Sequence, residues 1–99
     1  MQKNNAQDRE RLYRAILTLN TLDECAAFFE DIGTIQEIDA FAQRLEVASA
    51  LCDGGSYNDI NRQTGASTAT IGRVSKALNY GAGGYKTVIE RLKASDEQN

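Results

Sequence analysis

Arg73 and Lys76, with Thr68, Ala69, Gly72 and Asn79 around them, are the residues of this chain whose types and spacing could do chemistry. If 68–80 is a helix, a turn of about 100° per residue gathers all six on one side. Two cations project from that side among small and polar neighbours, and no acid shares it. Small side chains permit close approach to a groove of double-stranded DNA, while Arg and Lys reach phosphates or the acceptor edge of guanine. Gly72 in mid-helix costs about 1 kcal/mol relative to Ala. Close approach to DNA or to another helix would explain it.

The elements that must position this face are legible on either side. Ile71, Val74 and Leu78 fall at i, i+3 and i+7 on the opposite side, which predicts an inward stripe, and Ser67 is placed to cap the helix. Upstream, Ser56 with Asp59 three residues on is an N-cap pattern for a short helix that would bury Ile60. Gly65 ends that helix. Two short helices joined by a Gly-containing turn have the layout of a helix-turn-helix over 56–80. Tyr57, just after the cap, can touch a DNA backbone or cover the apolar face. After Tyr80 the run GAGGY reads as a helix stop and hinge, because a Gly-rich phosphate cradle would need a preceding strand.

A net charge of −3 on 99 residues looks unfavourable for a DNA-binding protein until it is divided along the chain. Residues 1–53 hold five Lys/Arg against ten Asp/Glu, residues 54–93 hold six against two, and Asp96 and Glu97 close the chain. The +4 segment coincides with the helix-turn-helix, so its local sign attracts phosphate even though the whole chain does not.

Other chemistries find no residues. The chain has no His, and Cys25 and Cys52 are 27 positions apart, so neither a zinc-ligand pattern nor a Cys-His nucleophile can be assembled. The neighbours of both cysteines suit small core residues. The acids Asp23, Glu24, Glu30, Asp31, Glu37 and Asp39 are scattered over expected solvent faces. The expectation is a chain that is not an enzyme, with no catalytic residues, metal or cofactor.

Helix propensity runs through the whole sequence, since Pro is absent and Ala, Leu, Glu, Arg and Gln are plentiful. Six helices are expected in an all-α fold. The first runs from about Asp8 to Leu19, after a flexible stretch 1–7. Thr21 with Glu24 opens the second, which ends before Gly33, and Thr34 with Glu37 opens the longest, to about Cys52. That helix has a wide apolar stripe of Ile35, Ile38, Phe41, Ala42, Leu45, Ala48 and Cys52, and a narrower one of Val47 and Leu51. Two stripes imply burial on two sides. Leu, Ile, Val and Phe number 21 of the 99 residues, a thin supply for one core, and a helix shared between two subunits meets both observations. After the helix-turn-helix a last helix is expected from Tyr85 to about Lys93, then a flexible tail, 94–99. No stretch reads as a membrane span or a leader, which places the chain in the cytoplasm.

The segment 44–47, the helix stop at Gly54 and above all TGASTATIGRVSKALNYGAGGY resemble the Trp repressor superfamily, in particular its YerC/YecD-type branch. The likeness covers about 8–93 and is specific from Gly65 to Tyr85. It implies a six-helix Trp-repressor-like fold, an intertwined homodimer with a helix-turn-helix at each end, and a second helix that enters a major groove. By motif position the groove-facing residues would be Thr68, Ala69, Thr70 and Gly72, beside the Ser67 cap, with Asn58 and Asn61 near the DNA backbone. Arg44 and Arg73 match two arginines with which the parent protein holds L-tryptophan, provided the turn at Gly54 is one residue shorter here. Val74 stands where that motif has glycine, in the space an indole ring needs. The function implied is a DNA-binding transcription regulator, probably a repressor by the family's habit, whose head works without tryptophan. Another small-molecule effector is left open. The rival reading is a protein-interaction module on a helix-turn-helix scaffold, suited to the acidic whole.

Overall fold

Short polar residues start most of the helices. In the computed structural model, which describes residues 5–97, six α-helices follow one another: α1 Asn5–Ile16, α2 Leu22–Ile32, α3 Ile35–Cys52, α4 Tyr57–Thr64, α5 Thr68–Tyr80 and α6 Gly84–Glu97. Thr21 Oγ1 accepts from the Glu24 N–H at 3.1 Å, while the Glu24 carboxylate reaches one residue further back than a strict capping box, to the Asn20 N–H at 2.8 Å. At α3 the box is complete. Thr34 Oγ1 accepts from the Glu37 N–H at 3.1 Å, and Glu37 Oε1 accepts from the Thr34 N–H at 2.8 Å. The bond from the Thr34 backbone, then the Thr34 side chain, holds the Glu37 carboxyl below its ordinary pKa.

The chain divides into two compact units, Met1–Ile38 and Asp39–Asn99. The second has a closed core. Val47 and Ala48 of α3, Ile60 of α4, Ala66 of the turn, Ile71 and Val74 of α5 and Ile89 of α6 are buried, with Leu45, Ala50, Leu51 and Tyr85 packed against them. In the first unit neither α1 nor α2 has a buried residue. Leu17 and Leu22 are 84% and 85% exposed, and the Phe28 and Phe29 rings meet edge to face at 5.7 Å on a half-buried surface.

Three sequence expectations need correction. On α3 the wide stripe is not the buried one: Ile35 and Phe41 stay more than half exposed and Cys52 is exposed, while the narrow stripe supplies fully buried Val47. Periodicity finds the apolar faces of a helix, but it does not say which face another element will cover. Helix ends also move. α1 begins at Asn5, within the stretch expected to be flexible, and ends at Ile16, where i to i−3 bonds from Thr18 and Leu19 tighten the exit. α6 continues to Glu97, since Ala-Ser-Asp-Glu contains no helix breaker; 1–4 and 98–99 lie outside the described residues. Lastly, Cys52 is no core residue and Cys25 is half-buried; both are free thiols.

Candidate nucleic-acid interface

The turn between α4 and α5 is built almost entirely from side-chain hydrogen bonds. Ser56 Oγ caps α4 by accepting from the Asp59 N–H at 3.2 Å, and Ile60 beneath it is fully buried. Gly65 ends α4 at φ +75°, a left-handed conformation that glycine adopts without penalty, and its N–H donates to the Asn61 carbonyl at 2.9 Å. Thr64 then ties the next residues down. Its hydroxyl donates to the Ile60 carbonyl at 2.7 Å and accepts from the Ala66 N–H at 3.1 Å. Asn61 Nδ2 donates to the Ala66 carbonyl at 2.7 Å, and Ala66 itself is buried. Ser67 opens α5, its Oγ accepting from the Thr70 N–H at 3.1 Å.

α5 presents two unlike sides. Ile71 and Val74 are buried in the core and Leu78 is half-buried, whereas Thr68, Ala69, Arg73, Lys76 and Asn79 are exposed together. The inward stripe and the outward face are therefore those expected from periodicity. A Cβ added at Gly72 would meet nothing within 4 Å, so no neighbour within the chain requires glycine there. Neither Arg73 nor Lys76 enters any of the three ion pairs among the described residues, which join Arg14 to Glu10, Arg62 to Asp59 and Lys93 to Asp53. Their charge is directed at solvent.

The remaining candidates are distributed around this face. Asn58 is exposed on α4, one turn before Asn61, whose amide is engaged with the turn. Thr70 is half-buried and its hydroxyl accepts from Ser67 Oγ at 3.1 Å, so it supports the cap as well as facing outward. Arg44 lies half-buried on α3 with its guanidinium carbon 5.7 Å from the centre of the Phe41 ring. Arg73 faces solvent and Val74 faces the core, so these adjacent residues do not point into one space. Two residues of the turn were missed. Thr64 was readable, since Thr just before a turn glycine commonly bonds its own backbone. Gln43, whose Nε2 donates to the Thr64 carbonyl at 3.1 Å from 21 positions away, carries no local signal.

Residues 7–93 match the Trp repressor protein family. The chain belongs to the Trp repressor family. It is 44% identical to YerC of Bacillus subtilis strain 168, a protein described as uncharacterized, over 98% of this chain and 93% of that one. Among solved structures, a TrpR-like protein from Eubacterium eligens is 53% identical with a TM-score of 0.85, covering 91% of this chain and 96% of its own. A Staphylococcus aureus protein provisionally assigned as a Trp repressor is 41% identical with a TM-score of 0.83, covering 92% and 89%. These likenesses support the YerC/YecD branch and the all-α Trp-repressor-like fold, and they make the chain a helix-turn-helix regulator of this family.

Proposed function

We propose that two copies of this chain form a transcription regulator that reads an operator in double-stranded DNA through α5, in the cytoplasm and without tryptophan as corepressor. The observation that carries the reading is the outward face of α5: Arg73 and Lys76 without ion-pair partners, set beside small Thr68, Ala69 and Gly72 on a helix anchored from behind by Ile71 and Val74. Ser67, Thr70, Asn58 and Asn61 border that face. An exposed cation beside a carboxylate would spend its field internally; these two are available to phosphate or guanine.

Pairing is supported by what lies uncovered. Leu17, Leu22, Ile32, Ile35 and Phe41 form far more exposed apolar surface than a short chain leaves to water, and the buried residues all belong to the second unit. A second copy of the same chain would supply the cover and would place two heads on two half-sites. Val74 supports independence from tryptophan, since a valine packed in the core fills from within a position that the parent motif leaves open. Arg44 and Arg73 are then free for roles other than an indole clamp.

Retention of genomic DNA fragments by the purified chain at low salt tests the reading. Retention that falls steeply with added salt is expected. No retention, with capture of a protein partner instead, would favour the interaction-module reading. In the same preparation L-tryptophan should leave the melting temperature unchanged; a tryptophan-dependent rise would overturn the reading of Val74.

A further inference from the structure

Gln43 connects α3 to the bend of the helix-turn-helix. Its half-buried amide donates to the carbonyl of Thr64, the last residue of α4, where a helix has no N–H of its own left to offer. The same Nε2 lies 4.0 Å from where a Cβ on Gly65 would sit, so the amide rests against the glycine that reverses the chain. The next carbonyls are held from within the head, that of Ala66 by Asn61 Nδ2. Gln43 is thus an anchor outside the head for a turn that is otherwise tied only to itself.

We propose that Gln43 is a positioning residue that sets the direction in which α5 leaves the turn; the proposal rests on the DNA-binding reading of α5. The lever is long. Thirteen residues rising 1.5 Å each make α5 about 20 Å long, so a tilt of about 5° at the turn displaces its far end by more than 1 Å. Lys76 and Asn79 lie towards that end, and an ångström decides whether a side chain meets its phosphate or base edge. The bond also borders an open groove lined by Gln43, Glu46, Asp53, Asp59, Gln63 and Thr64 among others. Water can therefore take over the Thr64 carbonyl when the amide is removed. The fold then survives while the direction of α5 loosens, which separates positioning from support of the core.

The test uses the full chain, with Gln43→Ala and with Gln43→Glu, which keeps the side chain's shape and loses the donor. DNA affinity against log salt, the melting temperature and amide hydrogen exchange are measured for each. Both variants should bind DNA about five- to tenfold more weakly at every salt concentration, the worth of one side-chain hydrogen bond. The salt slope should stay that of the parent, because no phosphate contact is deleted. Exchange should quicken about five- to tenfold at 65–71 and remain unchanged in α6. Unchanged affinity, a changed slope, or exchange that quickens equally in α6 would overturn the proposal. A parent chain that does not bind DNA defeats the DNA-binding reading instead, and the exchange pattern still decides whether Gln43 holds the turn.

Discussion

The two units of this chain use apolar residues in opposite ways. From Asp39 onward, seven buried side chains drawn from α3, the turn and α4, α5 and α6 close one core, and the outward face of α5 is polar and basic. Up to Ile38, α1 and α2 bury no residue and leave leucines and isoleucines in water. The first arrangement is that of a self-sufficient head, and the second is that of a surface awaiting a partner. Stability and association are therefore encoded in different stretches, which gives each a separate test.

The largest effect is expected in the head. Ile71→Ala empties a fully buried site between α5 and the rest of the core and should cost about 2–5 kcal/mol by urea denaturation. A cost below 1 kcal/mol would mean that the core is not closed by these residues. Next comes pairing. Leu22 and Ile35 are the first residues of α2 and α3, where an acid is favoured by the helix dipole, so replacing both with Asp spares the helices and charges the apolar surface. Pairing of the double variant should weaken about a hundredfold, ~2–3 kcal/mol, seen by sedimentation as a shift from dimer to monomer. Mass equal to the parent's at every concentration would break the contrast between the units.

The smallest effect concerns the α3 cap. Because Thr34 lowers the pKa of Glu37 in the folded chain, the cap stabilises fully above the ordinary glutamate value of 4.5 and its contribution fades as pH falls through the lower folded value. Glu37→Gln should flatten that part of the acid-denaturation curve and leave neutral-pH DNA binding alone. A curve superimposable on the parent's would show that the box contributes nothing.

What could be read from the sequence was local. Ser56, Thr34 and Ser67 act within four residues of themselves, so their caps, the left-handed Gly65 and the two sides of α5 were all legible before any fold was known. The engagement of Asn61 with Ala66 and of Thr70 with Ser67 was not anticipated, since motif position says where a residue lies and not what its polar atoms are already bonded to. Gln43 and Thr64 were out of reach for a different reason: a contact between positions 21 apart exists only once α3 and α4 have packed. The buried face of α3 failed similarly. Val47 and Leu51 formed the weaker stripe, yet α4 and α5 supply partners for it, while Phe41 and Ile35 find none in the chain.

The central claim, that the basic face of α5 engages DNA, is tested most directly by the slope of log affinity against log salt for the parent and for Lys76→Ala. The account predicts measurable binding by the parent at low salt. For Lys76→Ala it predicts weaker binding on all sequences, with a slope shallower by about 0.9 for each phosphate contact removed. Absence of binding by the parent, or two superimposable lines, would contradict it.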